Sequence, residues 1–231
     1  MATQKRATQQ RAVDTRRAIL EAAGAVFAEH GYASATLSMV MEKAGVTKGA
    51  LYHHFKSKEA LAQAVLDVQP ELGAIPPHPS KIQQIVDITF AFSERMLTDP
   101  LVRGSTRLST DQDVGPQVDY SSPYRDWPNL LVQLLEEARD QGELLPTVNL
   151  RDAAEYLTGA YGGVQLMSLA LTQRADLRSR LSVLWGYLLP NLALPGLILK
   201  INIAPDRGLR ILGIPGSAGQ DVIQDREEQG G

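Results

Sequence analysis

Residues 36–58, TLSMVMEKAGVTKGALYHHFKSK, decide how the rest of the chain is interpreted. Thr36 is a residue type that caps helix N-termini, because its hydroxyl accepts a hydrogen bond from a free backbone N–H of the first turn. Gly45 stands where a helix ends in a left-handed residue, a conformation that glycine adopts without strain. Between them the apolar residues recur with helical spacing: Leu37, Val40, Met41 and Ala44.

A second short helix follows this turn. Thr47 is placed to cap it, and its polar or cationic side chains are long enough to project outwards. A helix, a short glycine-containing turn and a second helix with outward donors predict a helix-turn-helix, whose second helix enters the DNA major groove. By pattern alone an ordinary αα-hairpin remains the alternative. The projecting side chains are Lys48, Tyr52, His53, His54 and Lys56.

The charge distribution favours DNA as the partner of the N-terminal part. Residues 1–58 contain nine Lys or Arg against four Asp or Glu, a net charge of +5, whereas the other 173 residues carry −8. The cationic surface therefore coincides with the helix-turn-helix segment. There is no cysteine, and the four histidines lack metal-ligand spacing, so we expect neither a metal nor another cofactor.

Two other protein classes are disfavoured. The chain has no G-x-S-x-G, P-loop or G-x-G-x-x-G motif and no other catalytic constellation, so we do not expect an enzyme. Residues 183–199 are nearly all apolar, but prolines and glycines divide them into pieces too short to span a bilayer of about 30 Å. With no signal peptide at its polar, basic start, we expect a cytoplasmic protein without membrane contact.

The remaining pattern predicts an all-α fold. Residues 1–10 are expected to be a mobile arm with Lys5 and Arg6, residues 70–80 a proline-rich linker, 111–123 a loop, and 214–231 a disordered acidic tail. Pro128 is expected to disrupt its helix beside Trp127. The predicted helices outside the helix-turn-helix run from 14 or 15 to 30, and over 58–68, 82–97, 101–109, 124–141, 150–172 and 176–189.

The sequence GVTKGALYHHFKSKEAL at 45–61 is very similar to the recognition-helix signature of the TetR family of bacterial repressors. Residues 16–44 resemble the same family's first two helices. This resemblance implies a dimeric, all-helical repressor with a DNA-binding domain at 1–58 and an effector-binding and dimerisation domain at 59–213. It also implies dimer contacts through the helices at 150–172 and 176–190.

The candidate DNA contacts combine the pattern with this resemblance. Thr47, Lys48 and Tyr52 are the candidates for base edges or the groove wall. By resemblance, His53 is placed for a base or a phosphate, and His54 and Lys58 match phosphate-contacting positions. The full set of candidates is Lys5, Arg6, Thr36, Thr47, Lys48, Gly49, Tyr52, His53, His54 and Lys58.

Three further stretches resemble the γ-butyrolactone autoregulator receptors within that family: RAVDTRRAILEAAGAVFAEHGY at 11–32, SSPYRDWPNLL at 121–131 and LTGAYGGVQLMS at 157–168. Those receptors have a pocket tryptophan at the place matched by Trp127, although a lone tryptophan more often fills a core. The resemblance implies a small apolar signalling ligand. The candidate ligand-binding residues are Gln63, Phe90, Trp127, Leu131, Thr158, Gly162 and Gln165.

These observations lead to one hypothesis and several rivals. The chain is expected to bind a pseudo-palindromic operator as a homodimer, to control secondary-metabolite genes, and to be released from DNA by a γ-butyrolactone- or butenolide-like molecule. The helix at 58–68 is expected to couple the two domains. The rivals are an effector-independent DNA-binding module, a related repressor that senses an antibiotic or drug-like ligand, and an enzyme with a vestigial helix-turn-helix.

Overall fold

The computed structural model describes residues 2–69, 74–111 and 115–215, which are predominantly helical. Within those ranges the only β feature is one bridge between Leu144 and Ala193, so the predicted all-α fold is confirmed. The helices are α1 (Ala2–Ser34), α2 (Leu37–Ala44), α3 (Lys48–His54), α4 (Lys58–Asp67), α5 (Lys81–Thr98), α6 (Pro100–Thr110), α7 (Ser122–Asp140), α8 (Leu150–Thr172), α9 (Leu177–Leu188), α10 (Pro195–Ile198) and α11 (Arg207–Leu212), with a 3₁₀ turn at Leu189–Asn191.

The first helix is longer than predicted. α1 begins at Ala2, whereas the sequence pattern placed its start at residue 14 or 15, after an arm. Residues 2–13 contain mostly Ala, Gln, Lys and Arg, which are good helix formers, and no Gly or Pro, so nothing in them stops the helix. The predicted stop at Gly31 is present as an interruption, where the backbone has φ 71° and ψ 175°.

Local hydrogen bonds set the ends of the helix-turn-helix as predicted. The Thr36 hydroxyl accepts from the Met39 N–H at 3.3 Å, and the Thr47 hydroxyl accepts from the Ala50 N–H at 3.2 Å. Gly45 ends α2 in the left-handed region at φ 63°. The Ser57 hydroxyl caps α4 in the same way as the two threonines cap α2 and α3. These caps rely on contacts within three residues, which is why the pattern revealed them.

The N-terminal core continues beyond the helix-turn-helix. Buried side chains of α1–α4 pack with Leu101 and Leu108 of α6 and with Val118, so this core continues past residue 58, the predicted end of the DNA-binding domain. α1 and α6 cross at two glycines with almost no space between their backbones. A Cβ on Gly104 would lie 2.6 Å from the Gly24 Cα, and a Cβ on Gly24 would lie 2.5 Å from the Leu101 Cα. The α1–α6 crossing therefore requires glycine on both sides.

A second core lies between α5, α7, α8 and α9. Trp185 of α9 is fully buried there, and its Nε1–H donates to the Thr89 hydroxyl at 2.9 Å. The buried Glu94 carboxylate of α5 accepts two hydrogen bonds from Arg178 of α9, at 2.8 and 2.6 Å. Because a buried carboxylate is costly without a partner, this pair fixes α9 against α5.

The C-terminal helix α11 was not predicted. Its Arg207 donates to both oxygens of the buried Asp87 on α5, at 2.8 and 2.6 Å. Gly208 lets the two helices approach, since a Cβ there would lie 2.6 Å from the Phe90 carbonyl oxygen. A six-residue helix has too little local pattern to be recognised, and its docking on α5 stabilises it.

Pro128 does not break α7, which runs uninterrupted from Ser122 to Asp140. The prediction that Trp127 is positioned by a helix break is therefore wrong. A proline removes one backbone hydrogen bond to the carbonyl four residues earlier. That residue is Tyr124, which is exposed, so its carbonyl can bond water instead.

The predicted connections agree with the structure where it describes them, except that α7 begins at Ser122, inside the loop predicted over 111–123. Residues 74–80 and 115–121 form no helix, whereas 70–73 and 112–114 lie outside the described residues. The predicted tail falls almost entirely outside them, since the description ends at residue 215. No described helix is long and apolar enough to cross a membrane.

Candidate functional site

The candidate DNA-reading surface is the outer face of α3. Thr47, Lys48, Gly49, Tyr52 and His53 are all exposed along it, and the helix is held from behind by the fully buried Leu51. The Lys48 ammonium lies 6.0 Å from the centre of the Tyr52 ring, so one cation and one aromatic ring share this face. Thr36 is exposed at the start of α2.

The other DNA-binding candidates occupy different positions. Lys58 is half-buried, with its Nζ 3.3 Å from the Ala33 carbonyl oxygen and 4.4 Å from the Tyr32 ring centre. Burial lowers the pKa of Lys58, although Glu59 opposes this shift. Burial also lowers the pKa of His54, with smaller contributions from the charges of His53 and Arg16.

The predicted basic arm is part of α1. Arg6 is exposed there, and the side chain of Lys5 lies outside the described part of the chain. As part of α1, these cations are held at fixed positions along a helix, whereas the cations of a mobile arm would not be. The structure therefore changes how these two residues would meet DNA.

The second candidate site is a cavity of about 880 Å³ between the C-terminal end of α1 and helices α5, α6, α7 and α8. A small apolar recess adjoins it. Phe92, Trp127, Thr158 and Tyr161 line both. The volume is in the range of small-molecule sites.

Trp127 of α7 is half-buried at this cavity and contacts two other parts of the chain. Its ring meets Phe92 of α5 edge-on, with the ring centres 5.2 Å apart. Its Nε1–H donates to the Gln69 side-chain oxygen at 3.2 Å, just beyond the end of α4. The tryptophan thus connects the cavity wall to the segment that leads back to the helix-turn-helix.

The structure brings four of the seven ligand-binding candidates to this cavity, Trp127, Thr158, Gly162 and Gln165, and a fifth, Leu131, to the adjoining recess. Gln63 is elsewhere, with its side-chain oxygen accepting from the Asp119 N–H at 2.7 Å and its amide nitrogen donating to Asp67 at 2.8 Å. Phe90 is also elsewhere, because it is buried in the second core. Two residues further on, and about 200° around the helix, Phe92 faces the cavity instead.

Several polar cavity residues were missed by the sequence interpretation. The Tyr161 hydroxyl lies 2.6 Å from the Ser93 hydroxyl, and burial raises the pKa of this tyrosine. Gln69, Arg103 and Arg174 line the cavity as well. No sequence signal distinguishes them, because they come from three separate segments that only the fold brings together.

Arg174 reaches the cavity through an unusual backbone. α8 ends with two successive non-glycine residues in the left-handed region, Gln173 at φ 53° and Arg174 at φ 70°. The Arg174 N–H donates to the Ser168 carbonyl at 3.0 Å, which closes the helix end. Each left-handed non-glycine residue costs roughly 1–2 kcal/mol, and strain of this kind accumulates at ligand clamps.

α8 and α9 also expose large apolar side chains that no other described element covers. Tyr187 is 78% exposed and Leu171 is 66% exposed, values that are high for residues of this size in a folded helix. A cluster of exposed apolar residues typically marks an interface. Its other members are Tyr156, Leu166, Met167 and Val183.

A helix-turn-helix followed by helices that border a cavity is the arrangement of a transcriptional regulator that carries its DNA-binding and ligand-binding parts in one polypeptide. The family description "Bacterial regulatory proteins, tetR family" matches residues 19–65, and "Tetracyclin repressor-like, C-terminal domain" matches residues 79–194. The chain belongs to the TetR family. It is a TetR-type DNA-binding repressor and not an enzyme, and TetR regulators bind operator DNA as dimers and also bind a ligand.

Similar proteins support this assignment. The A-factor receptor protein of Streptomyces griseus is 37% identical over 196 residues, covering 85% of this chain and 70% of that protein. The TetR regulator TylP of Streptomyces fradiae has a crystal structure that superposes with a TM-score of 0.83 at 36% identity, covering 88% of this chain and 98% of that one. A γ-butyrolactone receptor described as ArpA-like gives a TM-score of 0.62 at 26% identity, covering 89% and 100%.

Proposed function

We propose that this repressor binds a pseudo-palindromic operator as a homodimer and is released by a small apolar signalling molecule of the γ-butyrolactone or butenolide class. It would act on cytoplasmic DNA and control secondary-metabolite genes. The observation that carries this proposal is the position of Trp127, which lines the cavity and also bonds the segment after α4. The similarity to the A-factor receptor protein supports the ligand class.

The proposed dimer forms through α8 and α9. Their exposed apolar side chains favour a contact that removes them from water. A two-fold axis there would present the two α3 helices to successive major grooves, about 34 Å apart along the duplex. The half-sites of the operator would then be separated by about one helical turn.

We expect Lys48 to hydrogen-bond a base edge and Lys58 to contact a phosphate of the DNA backbone. Lys48→Ala should weaken binding to the operator more than to random DNA and relax preference at one position in each half-site, because a good contact to guanine is worth about 1–3 kcal/mol of discrimination. Lys58→Ala should weaken all sequences alike and lower the log–log salt slope by about one. Fluorescence anisotropy on both DNAs at several salt concentrations measures this, and equal losses for Lys48→Ala would reject base reading.

The proposed release depends on which arrangement the ligand binds better. A ligand with equal affinity for the operator-binding and released forms shifts nothing. α4 shares its core with α1–α3, and Gln69, just beyond its end, accepts a hydrogen bond from Trp127. A ligand packed against Trp127 would displace the Trp127–Gln69 hydrogen bond and move α4 together with the helix-turn-helix. The tight α1–α6 crossing would transmit the same shift to α1.

Operator release tests the proposal directly. Duplexes selected from a random pool by the full-length protein supply the operator, and alkyl-γ-butyrolactones and alkylbutenolides are then titrated into the complex. We expect release at ligand concentrations that leave the protein folded. No release by any member of either class would reject this ligand class. Antibiotics are titrated in the same way, and release by antibiotics alone would favour the drug-sensing alternative. No release by lactones, butenolides or antibiotics would favour an effector-independent module.

A further inference from the structure

Two buried donors at the cavity have no hydrogen-bond partner among the described residues: the Gln69 side-chain nitrogen and the Arg174 Nε. Gln69 is only 4% exposed, and its other amide atom is already engaged by Trp127. Buried donors are rarely left unpaired, because each gives up hydrogen bonds to water without replacement. Both of these donors belong to residues that line the cavity.

Two of the arginines that line this cavity, Arg103 and Arg174, are not neutralised by a carboxylate of the described residues. Arg103 donates to the Leu97 carbonyl at 3.1 Å, and neither it nor Arg174 forms an ion pair with any carboxylate of the described residues. Burial, and then the nearby charge of Arg103, lowers the pKa of Arg174. The acidic residue that lines the cavity, Asp111, accepts from the Tyr32 N–H at 2.9 Å, at the α1 end.

We propose that Arg103 and Arg174, together with the Gln69 amide that lines the same cavity, form an anion subsite, so that the ligand carries a carboxylate next to its apolar body. This inference rests on the proposed function and specifies the ligand further. A guanidinium presents parallel N–H donors that match the two oxygens of a carboxylate. Phe92, Trp127 and Leu131 supply the apolar wall for the rest of the molecule.

The strained backbone supports the same conclusion. Two successive left-handed residues direct Arg174 to the cavity, and its Nε remains unpaired there. The buried Nε adds no stability in the free protein, since a buried donor without a partner is unfavourable. It becomes favourable when an anion enters.

The test compares two ligands that differ only in charge: an alkyl-γ-butyrolactone with a ring carboxylate and the methyl ester of the same molecule. Calorimetric titration into the full-length dimer should show the carboxylate binding about tenfold to a hundredfold more tightly, as charge-assisted hydrogen bonds allow. Arg103→Gln and Arg174→Gln should each reduce this ratio about tenfold or more, because the ester carries no charge to lose a partner. Arg139→Gln, an exposed arginine on α7, is the matched control and should keep the wild-type ratio.

A second measurement needs no ligand. Because Arg174 is an unpaired cation in the free protein, Arg174→Gln should melt at the same temperature as the wild type or higher, whereas a structural arginine would melt lower. A lower melting temperature, equal binding of the two ligands, or a preference that survives both substitutions would each overturn the anion subsite. If the two ligands bind equally, or if the preference survives both substitutions, release of the operator by the neutral ester would still support the proposed function. If neither lactone binds, the proposed ligand class fails together with the subsite.

Discussion

Gly104→Ala should destabilise the protein severely and abolish operator binding. The new Cβ would lie 2.6 Å from the Gly24 Cα, inside the van der Waals distance of a backbone atom that cannot rotate away. Overpacking of a core costs about 1–3 kcal/mol when side chains can adjust. Here two helices must separate, so we expect at least the upper end of that range. Denaturant unfolding and operator binding measured on one sample test this.

Gly196→Ala is the matched control, because a Cβ there has nothing within 4 Å. Its unfolding midpoint should stay close to that of the wild type. If Gly104→Ala unfolds at the same denaturant concentration as Gly196→Ala, the α1–α6 crossing is looser than the structure indicates. The crossing would then be too loose to transmit a shift from the cavity to the helix-turn-helix.

Trp127→Ala should yield a folded dimer that binds operator and is no longer released by the ligand. Trp127 is half-buried and contributes one aromatic contact and one hydrogen bond, so its loss removes the cavity wall and leaves most of the core in place. The DNA and ligand sites are linked only by a coupling free energy, usually about 1–3 kcal/mol. Removing the ligand's contact abolishes this coupling without altering α3.

The fully buried Trp185 provides the contrasting variant. Trp185→Ala should cost about 3–5 kcal/mol of stability, as for other large-to-small core changes, and operator binding should disappear together with ligand response. Thermal melting, operator binding and ligand release are measured on both variants. If Trp127→Ala behaves like Trp185→Ala, Trp127 is a core residue and the release mechanism proposed for it is wrong.

The sequence predicted the helix-turn-helix well because the signals that define this motif are local. Thr36, Gly45 and Thr47 act on backbone groups within a few residues, and the apolar spacing of α2 is set by the helical repeat. The same local logic predicted α5, α8 and α9 to within one or two residues. It was wrong at Pro128, because one proline near an exposed carbonyl costs a single hydrogen bond and does not end a long helix.

The cavity depended on contacts between distant parts of the chain. Periodicity marked both Phe90 and Phe92 as apolar, and only the packing of the helices placed Phe90 in the core and Phe92 at the cavity. Gln69, Arg103 and Arg174 carry no local pattern and converge from three segments. A helix is specified by neighbours within four residues, whereas a cavity exists only after helices pack, so its polar groups could be recognised only in the folded chain.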